Sequence, residues 1–140
     1  MSDTIAYPAA PPAPTDPVVR RVARACFRGL AGLFAASLVM QFFLAGWALF
    51  VNPAAWMWHR SAATLPTVLA LLLVIAALAG RVRAWRRWLA VTAFALMLAQ
   101  GATANIRGIP GAFHPVIAII LVAVALRLLH PDAIVPPSRT

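Results

Sequence analysis

Long apolar blocks without charge constrain this chain more than any other feature. The clearest, LAGLFAASLVMQFFLAGWALFV, fills positions 30–51. A bilayer core of about 30 Å is crossed by about 20 helical residues, and only a backbone that bonds to itself is tolerated there. Four such blocks follow one another. The pattern predicts an all-α integral membrane four-helix bundle with spans at about 30–51, 54–80, 88–106 and 112–130. Asn52-Pro53 separates the first two spans, with Asn52 placed to cap the second, and Pro66 is expected to kink the second. The Pro/Ala-rich and basic residues 1–29 are expected to form a disordered cytoplasmic tail, without the order of a signal peptide. Residues 131–140 form a short second tail after Pro131.

Composition agrees. Of 140 residues, 63% are hydrophobic and 11% charged, whereas soluble domains carry about 25% charged residues. The net charge is +9 from twelve arginines and no lysine, against Asp3, Asp16 and Asp132. This could suggest nucleic acid, but the arginines flank apolar blocks instead of forming one basic face, so nucleic acid is excluded as a partner. Arg20, Arg21, Arg24, Arg28, Arg81, Arg83, Arg86, Arg87, Arg127 and Arg139 fall on one side of the predicted membrane, and Arg60 and Arg107 on the other. The positive-inside rule then puts both termini in the cytoplasm. Trp85 and Trp88 would mark the inner interface, and Trp47, Trp56 and Trp58 the outer one. The Ala, Arg and Pro bias suggests a GC-rich bacterial genome, which together with the apolar blocks makes a bacterial inner membrane the expected location. The single cysteine, Cys26, rules out an intramolecular disulfide.

Polar groups inside a membrane are costly, so each is a candidate for function. Gln41 and Gln100 lie within spans one and three, where each amide needs a partner: an interhelical hydrogen bond or a bound cofactor. His59 and His114 open spans two and four, both of which run from outside to inside. They therefore sit at similar depth on parallel helices. Two facing imidazoles between apolar walls suit the iron of a b-type haem, with Arg60 and Arg107 on the outer rim to meet its propionates. His130, at the far end of span four, is structural on this reading. A repeat accompanies the pair. Gln41, Gly46, Pro53 and His59 in one hairpin match Gln100, Gly101, Pro110 and His114 in the other, which predicts two pseudo-repeated helical hairpins.

The ordered set Gln41…His59-Arg60, then Gln100-Gly101…Pro110…His114, resembles one four-helix half of the haem A synthase family. The chain also looks like a family of small uncharacterised bacterial four-helix membrane proteins. The first resemblance implies haem b at His59 and His114. It departs from that family at Trp56, where a glutamate three residues before the His-Arg pair is expected. There is no glutamate anywhere in the chain, so the resemblance does not extend to oxygenation chemistry.

No hydrolytic triad, phosphate loop or zinc spacing is present, and an independent catalytic activity is not expected. Three readings stay open from the sequence. One is a haem b protein passing electrons to a redox partner or quinone. The second is a cofactor-free structural or accessory subunit of a larger membrane complex. The third, less supported, is a small-solute channel built by homo-oligomerisation.

Overall fold

The computed structural model describes residues 16–104, 106 and 108–130. The expected tails at 1–15 and 131–140, and Arg107, lie outside the described residues. Five helices follow one another: α1 (Val18–Phe50), α2 (Ala55–Ala62), α3 (Thr64–Ala79), α4 (Ala84–Thr103) and α5 (Ile109–Leu129). Among the described residues there is no strand.

The protein is all-α, and three stretches are long and apolar enough to cross a membrane: Val18–Phe50, Ala55–Ala79 and Ile109–Leu129. The 20 residues of α4 are long enough, but Arg86, Arg87 and Gln100 make it more polar.

Four boundaries differ from the sequence reading; one is α4, which starts at Ala84 instead of Trp88 and ends at Thr103 instead of Ile106. Helix α1 starts at Val18, so residues 18–29, expected to belong to an irregular tail, are helical. No proline or glycine cluster interrupts the chain between Pro17 and Asn52, and Ala and Arg favour helix. Phe27 is buried, and Arg24 donates from Nε to the Gly80 carbonyl at 2.9 Å, so this basic segment packs against the end of α3. At α5 the helix begins at Ile109 instead of Ala112. Pro110 sits in its first turn, where a missing N–H costs nothing, and Gly108 before it adopts φ +83°, which glycine reaches without a steric penalty. The expected second span divides at Ala63. The break lies one turn before Pro66, whose nitrogen cannot donate back to Ala62. The sequence places Asn52 as the cap of the second span, but the cap position is Ala54; Asn52 Oδ1 accepts the Ala54 N–H at 3.0 Å within the turn that precedes α2.

Helix α1 packs against α2, α3 and α5, and α4 packs against α3 and α5. The helices thus close a ring in which α1 and α4 are diagonal, as are α3 and α5. On α1 the inward stripe includes Phe27, Ala31, Phe34 and Leu38, with Ser37 and Ala48 also buried; on α4 it is Arg86, Ala90, Ala93 and Met97. Both stripes step by four, three and four residues, which keeps one face of each helix inward. The outward faces carry Leu33, Val39, Phe43, Ile75, Leu98 and Ile119, large apolar groups left exposed, as suits contact with lipid instead of water.

The ring is unevenly filled. Phe27, Phe34, Leu73, Leu121 and Leu128 pack the end that carries Arg24 and Arg86. There Arg24 closes on Gly80 at the end of α3, and Arg86 donates from Nη2 to the His130 carbonyl at the end of α5, at 2.6 Å. At the opposite end the stripe continues one step further, to Gln41 on α1 and Gln100 on α4. Here the ring opens around His59 and His114.

A histidine pair between two cavities

His59 stands on α2 and His114 in the second turn of α5, on elements that face each other across the ring. Their ring centres are 6.4 Å apart and the planes meet at 68°. Each imidazole is oriented by a main-chain oxygen of a neighbouring rising helix. His59 Nδ1 lies 3.1 Å from the Gln41 carbonyl, and His114 Nδ1 lies 3.1 Å from the Gln100 carbonyl. A carbonyl only accepts, so each Nδ1 carries the proton and donates. Each Nε2 therefore holds a lone pair. This tautomer is the one a metal-binding histidine adopts when an outer partner takes its other N–H.

The two Nε2 atoms differ in their surroundings. Gln100 Nε2 lies 3.1 Å from His114 Nε2, and since that ring nitrogen is the acceptor, the amide N–H donates. Among the described residues His59 has no such partner; instead the Trp56 ring stands against it, 5.4 Å between centres at 90°. Gln100 Oε1 is buried and has no hydrogen-bond partner among the described residues.

Two cavities meet at the pair. One, of about 430 Å³, opens at the end of the bundle and is lined by Arg60, Thr103, Ile106 and Gly111 together with Trp56 and both histidines. The other, of about 330 Å³, runs into the bundle past Gln41, Gln100, Phe42, Ala45, Pro66, Met97 and Ala118. Its walls are mostly apolar. His59 and His114 line both, so the pair divides a cationic vestibule from an apolar chamber.

The sequence-derived set is thus gathered as follows. His59, His114, Gln41 and Gln100 converge on the apolar chamber, and Arg60 reaches the vestibule. Arg107 is outside the described residues. His130 lies at the other end of α5, its carbonyl engaged by Arg86. Trp56 is a site residue that the sequence reading weighed as a marker of the outer interface and as a substitution for glutamate. Its position three residues before His59, one helical turn away, was the available signal. Ala45, Pro66 and Ala118 carried no signal, because small residues and prolines are common throughout these helices.

Among the described residues no three His, Cys, Asp or Glu converge on one point, so no all-protein cage for a bare ion is built. A haem iron has a different need, since the macrocycle supplies its equatorial nitrogens and the protein one or two axial groups. Two iron–nitrogen bonds of about 2 Å, plus roughly 1 Å from each nitrogen to its ring centre, separate facing ligand rings by about 6 Å. The two ring centres here are 6.4 Å apart, with His114 Nε2 turned to the Gln100 amide.

These features define an all-α protein with apolar, membrane-length helices and a histidine pair set between two cavities. Residues 41–106 match the model of a family of unknown function (DUF6220). The match runs from Gln41 to Ile106 and so takes in His59, Arg60 and Gln100, but ends before His114. No curated protein and no solved structure is matched by the chain.

Proposed function

We propose that this protein crosses a bacterial cytoplasmic membrane four times, with both termini inside, and holds one haem b between His59 and His114 for electron transfer. The observation that carries this reading is the pair itself: two imidazoles fixed in the same tautomer, lone pairs at Nε2, at a ring spacing that suits one iron. The cavities support it. Arg60 lines the vestibule, where a propionate could meet a guanidinium, and the apolar chamber suits the hydrocarbon edge of a macrocycle. When bound, the haem supplies a one-electron couple. The protein's part is to orient both nitrogens through the Gln41 and Gln100 carbonyls, to exclude water with Phe42, Met97 and Ala118, and to offset negative charge with Arg60.

The arrangement of two related hairpins is supported by matched contacts. Gln41 and Gln100 each orient one histidine; Arg24 closes the far end of α3, which follows the helix bearing His59, and Arg86 closes the far end of α5, which bears His114. The stripe Phe27, Ala31, Phe34, Leu38 on α1 and the stripe Arg86, Ala90, Ala93, Met97 on α4 share one spacing. The arginine-rich end, which carries Trp85 and Trp88, is then the cytoplasmic one. Trp56 stands where the haem A synthase glutamate is expected, so no oxygenation step is derived.

The test is an absorption spectrum of full-length protein purified from haem-replete cells. A Soret band is expected, lost or strongly reduced in His59→Ala and altered in His114→Ala but retained in His130→Ala. A colourless preparation with intact helical structure would overturn the reading.

A further inference from the structure

The two histidines are held unequally. His59 Nε2 meets no donor among the described residues, and its ring is fixed by the Gln41 carbonyl and the Trp56 ring. His114 Nε2 accepts the Gln100 amide N–H at 3.1 Å. That is the same lone pair that a metal would take, and one lone pair cannot serve both. We infer that Gln100 makes His114 the exchangeable ligand of this site and His59 the fixed one, so that a small neutral molecule of the diatomic class can bind the iron in place of His114. The inference rests on the haem reading above.

The Gln100 amide is not fully satisfied where it rests. Its Oε1 is buried without a partner among the described residues, a penalty for any polar atom. One arrangement keeps the amide on His114 and strands that oxygen. The other hands the His114 lone pair to the metal and frees the amide to turn into the chamber. Pro115 directly follows His114 and lacks an N–H, so this part of α5 is tied by one bond fewer than an ordinary turn. The vestibule of about 430 Å³ reaches both histidines and gives a small molecule a way in. In the exchange the bond from iron to His114 breaks, a bond from iron to the incoming molecule forms, and the imidazole lone pair passes to the Gln100 N–H. No electron or proton changes hands.

The experiment uses full-length protein in detergent, loaded with iron protoporphyrin IX, reduced, and titrated with carbon monoxide. Carbon monoxide is expected to bind the wild type and to bind about tenfold more weakly in Gln100→Leu, because the displaced His114 loses a hydrogen bond of ordinary net worth. Gln100→Asn keeps an amide too short to reach and is expected to behave as Gln100→Leu does, which guards against one variant failing to fold. His114→Ala is expected to keep its haem through His59 and bind carbon monoxide more tightly than the wild type, whereas His59→Ala loses most of its haem. Unchanged or tighter carbon monoxide binding in both Gln100 variants, or equal haem loss in the two histidine variants, would overturn the inference while leaving the haem reading intact. Absence of haem from the wild type would overturn both.

Discussion

Arg86 of α4 reaches the main-chain oxygen of His130, its Nη2 donating at 2.6 Å. The side chain is 8% exposed, and its guanidinium lies 5.1 Å from the centre of the Trp85 ring. A cation is thus held at the carboxyl end of α5, where unpaired carbonyls and the helix dipole both favour it. Arg86→Ala is expected to lower the unfolding free energy by about 2–3 kcal/mol, the range for a hydrogen bond to a charged group plus lost packing. Arg86→Lys should recover part of the loss, and Arg87→Ala, at an exposed position, should stay within about 0.5 kcal/mol. Denaturant titration in mixed micelles followed by circular dichroism measures all three. Equal effects for Arg86→Ala and Arg87→Ala would mean that the contact to His130 carries no weight.

Much of this arrangement could be read from the order of residues, and the reason is physical. Hydrocarbon leaves helices as the economical way to satisfy the backbone, so long apolar blocks announce membrane-length helices directly. The histidines were legible as a pair because each opens a helix running in the same direction, which puts them at one depth. What stayed hidden was the role of the arginines. Arg24 and Arg86 count as topology signals in the sequence, yet each ends on a carbonyl of another helix, a contact that only packing reveals. The early start of α1 was hidden for the same reason. Nothing in Arg20-Arg21-Val22-Ala23 tells a helix from an irregular basic tail until Phe27 is seen buried and Arg24 seen bonded. The unequal treatment of His59 and His114 was also invisible, since both follow a glutamine in the same order.

Gly80 and Gly32 separate two meanings of glycine in these helices. A Cβ on Gly80 would stand 3.0 Å from the Ala76 oxygen and 3.2 Å from the Arg24 nitrogen, so α1 passes too close for a methyl group. A Cβ on Gly32 meets nothing within 4 Å. Gly80→Ala is therefore expected to destabilise the bundle by about 1–3 kcal/mol through overpacking. Gly32→Ala is expected to stabilise it by about 0.5–1 kcal/mol through helix propensity alone. The same unfolding titration reads both. A loss of stability in Gly32→Ala would show that another helix packs on that face of α1.

The apolar chamber gives a way to block the site without touching a histidine. Ala118 lines a space of about 330 Å³ that a benzyl group can enter. Ala118→Phe is expected to fold, with stability unchanged or raised by up to about 1 kcal/mol as the void fills, and to lose most of its bound haem. The haem-to-protein ratio after purification, read beside a thermal melt, checks this. Full haem occupancy in a well-folded Ala118→Phe would place the macrocycle outside this chamber.

Gly111 connects the start of α5 to the histidine pair. A Cβ there would collide with the Ile106 carbonyl oxygen, and since that neighbour is backbone it cannot swing aside as a flexible side chain does. Either Ile106 or the first turn of α5 must move. His114 lies three residues further along the same helix, so movement of that turn changes its distance to the Gln100 carbonyl and amide, both 3.1 Å in the native arrangement. Gly111→Ala is expected to cost about 1–3 kcal/mol in stability and to weaken both hydrogen bonds to His114, while the bond from His59 to Gln41, on other elements, persists. Nitrogen-15 spectra of histidine-labelled protein without haem separate the two rings. The His114 nitrogens should shift toward a mixture of tautomers, and those of His59 should hold their positions. Shifts of equal size at both rings would mean that the two histidines respond as one rigid unit, and that the ends of α2 and α5 are coupled more tightly than their separate hydrogen bonds imply.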